Sequence, residues 1–64
     1  MTKKDYELIA KSIRNYREYS EQFNDGGWRK TASEEMARRL ADSFFMDNAR
    51  FVESRFLKAC GIED

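Results

Sequence analysis

The sequence lacks proline and histidine altogether, and it contains a single cysteine, Cys60. One cysteine cannot form an internal disulfide, and a chain without histidine cannot build a Cys/His zinc site. Histidine is also the usual general base of serine and cysteine hydrolases, so these enzyme classes are disfavoured. No stretch carries a recognisable catalytic or ligand-binding motif. We therefore expect a protein that is not an enzyme and that holds no metal and no cofactor.

Long apolar runs and an excess of charge of one sign are also missing. No run approaches the roughly 18 apolar residues that a membrane span requires, and residues 1–7 lack the apolar centre of a signal peptide. We therefore expect a cytosolic protein that does not bind membranes. Twelve basic and twelve acidic residues give a formal net charge of zero. Overall charge therefore does not drive nucleic-acid binding, although a local basic patch is an alternative.

The chain has 64 residues, of which 41% are hydrophobic and 38% are charged. This composition is typical of a folded domain, and the length fits one domain spanning residues 1–64. A chain of this size buries only about 60% of its unfolded surface. A partner protein, or a second copy in a homodimer, is therefore one source of additional stability.

Hydrophobic periodicity predicts an all-α, three-helix domain. The first helix is predicted over residues 3–23 with Thr2 as its cap, and its apolar seam recurs every three or four residues. Packing of this seam within the chain is favoured over a coiled-coil dimer, because three heptads are barely enough for a coiled coil. Residues 24–27, Asn-Asp-Gly-Gly, are expected to end this helix.

The second helix is predicted over residues 32–47, beginning at the capping-box pattern Thr-Ala-Ser-Glu of residues 31–34. The third is predicted over residues 52–60, with a break at Asn48 and a stop at Gly61. Phe51 and Phe56 occupy hydrophobic-staple positions if Val52 is the cap. Because no proline interrupts the segment, one continuous helix over residues 32–60 is the alternative.

Two parts of the sequence resemble a widespread group of small phage and prophage proteins. The resemblance lies in the opening segment 3–10, KKDYELIA, and in the closing segments 47–51, DNARF, and 55–61, RFLKACG. Those proteins are predicted to be helical, and they often have proline in place of Ala49 and an acidic cap in place of Val52. The resemblance covers about half of the chain. It implies a phage setting, in which small proteins without enzymatic machinery commonly bind and block host proteins, including components of defence systems such as CRISPR–Cas.

The candidate partner-binding residues cluster around one tryptophan. Trp28 lies beside Arg29 and Lys30 in a predicted loop, and tryptophan and arginine are enriched in protein interfaces. The alternatives are that Trp28 covers the core, or that it stacks on a nucleic-acid base while the cations contact phosphate. The remaining candidates are a basic pair on the second helix and an aromatic residue on the first, namely Arg38, Arg39 and Tyr19. The alternative for the basic pair is a solvated helix face, and Cys60 is expected to be a core residue.

Overall fold

The computed structural model describes residues 1–62 and confirms the all-α, three-helix prediction. Helix α1 spans Lys3–Ser20, α2 spans Trp28–Asp47 and α3 spans Glu53–Ala59. Every helix packs against both of the others. The two long helices run side by side, since the end of α1 contacts the beginning of α2, and the short α3 covers one side of this pair.

Helix α1 begins at the predicted cap. The Thr2 hydroxyl accepts from the backbone amide of Asp5, and the Asp5 carboxylate accepts from the amide of Thr2. The hydrogen bond from the Thr2 amide, and to a smaller extent the nearby Thr2 hydroxyl, lower the pKa of the Asp5 carboxyl, since they favour its charged form. The predicted end at residue 23 is wrong. The helix ends at Ser20, and the amide of Phe23 bonds back only three residues to the Ser20 carbonyl.

The predicted start of the second helix is also wrong, since α2 begins at Trp28 and not at residue 32. Its cap is Gly27, whose φ of 82° lies in the left-handed region that glycine adopts without strain. Asp25 supports this turn by accepting from the Gly27 amide through Oδ1. The predicted capping box does not form. The Ser33 hydroxyl instead donates to the Lys30 carbonyl within the helix.

The predicted break at Asn48 is confirmed, and the continuous helix over residues 32–60 does not form. Asn48 has extended backbone angles, and its carbonyl accepts from the amide of Phe51 in a tight turn. Val52 is the cap of α3 without a capping side chain, and the rings of Phe51 and Phe56 lie 5.6 Å apart, as the staple predicts. Helix α3 ends one residue before the predicted position, at Ala59.

A glycine closes α3 in the predicted way. Gly61 has a φ of 81°, and its amide donates to the Lys58 carbonyl while the amide of Ile62 donates to the Leu57 carbonyl. This pair of bonds is a Schellman motif, and it satisfies carbonyls that the end of a helix would leave without donors. Ile62 then packs against the core.

The core is built from small residues at the helix contacts and aromatic residues at one end. Its buried members are Ala10, Ala37, Ala41, Phe56, Leu57 and Cys60. Alanine at these contacts lets the helix backbones approach closely, and the rings of Tyr6, Phe44, Phe51 and Phe56 fill the wider space near the α2–α3 turn. Cys60 is fully buried, as predicted, and burial raises the pKa of its thiol to about 11. Such a thiol is unreactive at neutral pH.

Candidate functional site

The candidate site is a face of the two long helices that carries exposed apolar side chains. We call it the α1/α2 face. On α1 its members recur at intervals of four, four and three residues: Leu8, Ser12, Tyr16 and Tyr19. The same intervals on α2 give Trp28, Ala32, Met36 and Arg39. Residues at these intervals share one side of a helix. Four of its five large apolar members, Leu8, Tyr19, Trp28 and Met36, are more than half exposed, and the fifth, Tyr16, is 44% exposed.

A shallow groove of about 350 Å³ runs between the two helices on this face. Small residues, Ser12 and Ala32, lie in it, and the larger Tyr16 and Met36 also line it. Helix α3 contributes no residue to the groove. The groove is therefore open to a further element, because the third helix covers a different side of the α1/α2 pair.

A series of neighbouring rings, completed by the Arg29 guanidinium, connects the groove to the tryptophan. The rings of Tyr16 and Tyr19 lie 6.3 Å apart, and those of Tyr19 and Phe23 lie 5.1 Å apart. The Arg29 guanidinium lies 4.1 Å from the centre of the Phe23 ring and 5.3 Å from that of Trp28. These contacts fix the orientation of several exposed aromatic side chains relative to one another. Such pre-ordered groups lose little conformational freedom on binding.

Trp28 is in the first turn of α2, not in a loop as predicted, and it does not cover the core. The residue is 59% exposed. The sequence had left open whether this residue is buried or available to a partner, and its exposure favours the second interpretation. A tryptophan held at a helix start presents a rigid apolar surface of the kind that anchors protein interfaces.

Arg29 is partly buried and has a structural contact of its own. Its Nε lies 3.2 Å from Oδ2 of Asp25, and the two side chains are 28% and 14% exposed. The two atoms are close enough for an ion pair, but they are not aligned as a hydrogen bond, and neither has another hydrogen-bond partner. We therefore regard the contact as Coulomb attraction between charges that are partly shielded from water. Arg29 thus contacts Asp25 on one hand and the faces of the Phe23 and Trp28 rings on the other.

The three other cations that the sequence predicted at the site, Lys30, Arg38 and Arg39, differ in whether an acidic side chain pairs with them. Lys30 pairs with Glu21 at 3.2 Å, and Arg38 pairs with Glu34 at 3.1 Å. Arg39 forms no ion pair with any of residues 1–62. Successive helix residues are turned by about 100°, so Arg39 lies on the α1/α2 face and Arg38 lies beside it. The structure thus brings Tyr19, Trp28 and Arg29 together, adds Arg39 to their face, and pairs Lys30 and Arg38 with acids.

Arg17 positions the two helices that form the face, a role that the sequence analysis missed. Its Nη1 donates to the Lys30 carbonyl and to the Ser33 hydroxyl, each at 2.9 Å. These bonds join the last turn of α1 to the first two turns of α2. The spacing of Arg17, four residues after Ile13 and seven after Ala10, would have placed it on the core side of α1.

Leu8 and Met36 also lie on the α1/α2 face, although the sequence did not predict either of them as a binding residue. Met36 fits the apolar periodicity of the second helix, which predicts burial, yet it is 56% exposed. The four-residue spacing from Trp28 through Ala32 to Met36 was the available signal. It could not be used while the helix was predicted to start after Trp28, because residues in a loop have no helical register.

Within residues 1–62 there is no group of three or more acidic or cysteine side chains placed to hold a metal ion. None of the helices in the described part of the chain is long and apolar enough to cross a bilayer. Comparison of the chain with known protein families, with curated proteins and with solved structures gives no match.

Proposed function

We propose that this protein is a non-enzymatic binding module that engages another protein through the α1/α2 face, with Trp28 as the anchor. The observation that carries the proposal is the exposed, pre-ordered aromatic series that joins Trp28 to the groove at Tyr16. Exposed apolar groups that adjoin one another mark interaction sites more often than scattered ones. A partner that covers this face would bury side chains that α3 leaves in water.

The charges near the tryptophan favour a protein partner over nucleic acid. Three of the four predicted cations, Arg29, Lys30 and Arg38, are paired with carboxylates. A phosphate backbone would have to displace these acids or approach them against their charge. Binding to nucleic acid depends on neutralising several phosphates, and Arg39 alone supplies one unpaired cation on this face. We therefore place a small nucleic-acid-binding regulator second, as the alternative function.

The biological setting in this proposal comes from the resemblance to small phage proteins. In that setting the partner is a host protein in the cytosol, and the effect of binding is to block it. Components of an anti-phage defence system, such as a CRISPR–Cas complex, are the partners we place first. The α1/α2 face supports binding to a protein, and the identity of the partner rests on the resemblance alone.

An affinity capture with matched variants tests this function. The bait is the full chain, used as wild type, as Trp28→Ala and as Met46→Ala, and host lysate is applied with and without nuclease. Met46 is 84% exposed and lies on the same helix about 27 Å from Trp28, so it controls for loss of an exposed apolar group. We expect a protein that is retained by the wild type and by Met46→Ala after nuclease treatment, and lost with Trp28→Ala.

Three results would contradict the proposal. Retained material that disappears with nuclease treatment would favour the nucleic-acid regulator. Equal retention by Trp28→Ala and Met46→Ala would place the binding site away from the α1/α2 face. Sedimentation of each bait beforehand shows whether a second copy of the chain already occupies this face. A homodimer that Trp28→Ala dissociates would make self-association the function of the face.

A further inference from the structure

A second cavity lies away from the α1/α2 face, where the start of α1 meets the α2–α3 turn and α3. We call it the basic cleft. It has a volume of about 390 Å³, close to that of the groove on the α1/α2 face. Three cations, Lys3, Arg50 and Arg55, line it, together with one acid, Glu7. None of these cations forms an ion pair within residues 1–62.

The charge of the basic cleft departs from the balance of the whole chain. The sequence has equal numbers of acidic and basic residues, and most cations around Trp28 are paired. The cleft, by contrast, gathers three unpaired cations against one carboxylate. A cavity with an excess of one charge and low-dielectric walls concentrates ligands of the opposite charge. The complementary ligand therefore carries carboxylates or phosphates.

The walls of the basic cleft are apolar. Tyr6, Phe51 and Phe56, whose rings pack together at 4.7 and 5.6 Å, form one side, and Ala10 and Ala59 contribute small side chains. Val52 lies at the rim and is 47% exposed. A ligand that fits this cavity needs an apolar group for its walls as well as negative charge for its cations. Inorganic phosphate or an isolated carboxylate would satisfy only half of the site.

We propose that the basic cleft binds a short acidic peptide segment of a partner protein, in which one aromatic or aliphatic side chain is flanked by carboxylates. The apolar side chain enters the cleft against Phe51, and the flanking carboxylates pair with Arg50 and Arg55. Arginine suits this role because its planar guanidinium binds a carboxylate through two parallel hydrogen bonds. The site is separate from Trp28, so the protein has two faces that can engage partners.

The arrangement of cations and aromatic rings in the basic cleft favours a peptide over nucleic acid. A phosphate backbone needs a track of cations along its length, whereas here three cations line one cavity together with the acid Glu7. The rings of the cleft pack against one another instead of standing apart to receive successive bases. A single inserted side chain between two carboxylates matches this arrangement.

The test is a nuclear magnetic resonance titration of the full chain with a defined peptide. The probe is acetyl-Glu-Asp-Phe-Asp-Glu-amide, and its controls carry Gln and Asn in place of the acids, or Ala in place of Phe. An oligothymidine of six nucleotides is titrated in parallel. We expect the acidic peptide to shift the backbone amides of Arg50, Phe51 and Arg55. Loss of either the acids or the phenyl ring should weaken binding at least tenfold.

Matched variants locate the site. The double variant Arg50→Gln with Arg55→Gln should weaken binding at least tenfold, whereas Arg14→Gln, an exposed arginine outside the cleft, should leave it unchanged. Trp28→Ala should also bind the peptide normally, so this result and the result for the α1/α2 face are independent. Three results would overturn the proposal: no shifts at millimolar peptide, equal binding of the uncharged peptide, or tighter binding of the oligothymidine to the same residues.

Discussion

At the scale of single residues, the chain uses its arginines in two distinct ways. Arg17 and Arg29 are partly buried and hold other groups in place, whereas Arg14 and Arg38 lie on the surface in pairs between successive helical turns. Surface pairs of the second kind contribute little to stability. The contacts of Arg17 are different, because they are hydrogen bonds to a backbone carbonyl and a hydroxyl between two helices.

This difference predicts the effect of removing each arginine. Arg17→Ala should lower the free energy of unfolding by about 1.5–3 kcal/mol, the usual range for hydrogen bonds to a charged group. Arg14→Ala should lower it by no more than about 0.5 kcal/mol. Urea denaturation followed by circular dichroism measures both values. Equal losses in the two variants would show that Arg17 does not join α1 to α2 as described.

The buried thiol gives a second prediction at this scale. Cys60 is fully buried and has a pKa of about 11, so little of it is thiolate at neutral pH. We expect slow reaction with a thiol reagent in native buffer and fast reaction in denaturant. At pH 9 the Cys60 thiol is still almost entirely protonated, so its native labelling should remain far slower than that of a small free thiol measured alongside. Rapid labelling of the native protein would contradict the burial.

At the scale of helices, the turns decide where each helix begins and ends. The apolar seam of α1 continues in register to Phe23, so periodicity alone extends the helix too far. Gly26 and Gly27 adopt positive φ angles and allow α2 to start at Trp28. The sequence predicted a turn at these glycines, but the Thr-Ala-Ser-Glu pattern of residues 31–34 offered a second start. The structure has the earlier start, and Arg17 of α1 bonds to Lys30 and Ser33 within the added turns.

The α2–α3 turn provides a sharp test at this scale. Ala49 follows Asn48, whose extended backbone angles are those preferred before proline. The turn bonds use the amides of Arg50 and Phe51, so the Ala49 amide is not needed in them. Ala49→Pro should therefore be tolerated and should stabilise the protein by about 0.4–1 kcal/mol, by restricting the unfolded chain.

The matched control for this variant is Glu35→Pro in the interior of α2. That change should cost about 3 kcal/mol, because it removes a helical hydrogen bond and clashes with the preceding turn. Thermal unfolding of the two variants gives the comparison. A loss for Ala49→Pro as large as that for Glu35→Pro would mean that the helix continues through residue 49.

The contact between α2 and α3 also makes stability depend on pH. A hydrogen bond with Asp42, together with partial desolvation and the charge of Asp42, raises the pKa of the Glu53 carboxyl above its usual 4.5. A raised pKa means that the folded state holds this proton more tightly than the unfolded state does. The resulting stabilisation is present at low pH and is lost as the pH rises through the folded-state pKa.

Replacing Asp42 should remove this pH dependence. Asp42→Asn eliminates the repulsion and leaves Glu53 charged at the start of α3, where a negative charge is favourable. We expect its melting temperature to exceed that of the wild type by an amount that grows as the pH rises above 4.5. Glu35→Gln, which removes an exposed acid elsewhere on α2, is the control. A constant difference from pH 3.5 to 7 would contradict the contact between the two carboxyl groups.

At the scale of the whole molecule, the fold leaves one side of its two long helices uncovered. The sequence was sufficient for the three helices, the break at Asn48, the staple of Phe51 with Phe56 and the burial of Cys60, because each has a local signal. It was not sufficient for the α1/α2 face, since that face depends on which side of the pair α3 covers. Periodicity identifies apolar residues such as Met36, but it does not tell which of them a short third helix will reach.

The central claim is that Trp28 anchors a protein partner on the α1/α2 face, and the dissociation constant of the captured partner tests it most directly. Truncating a central interface tryptophan costs about 2 kcal/mol or more. Isothermal titration should therefore show at least about thirtyfold weaker binding for Trp28→Ala than for the wild type, with unchanged binding for Met46→Ala. Circular dichroism should show the helices intact in both variants, since Trp28 is 59% exposed. A dissociation constant for Trp28→Ala within threefold of that of the wild type would contradict the claim.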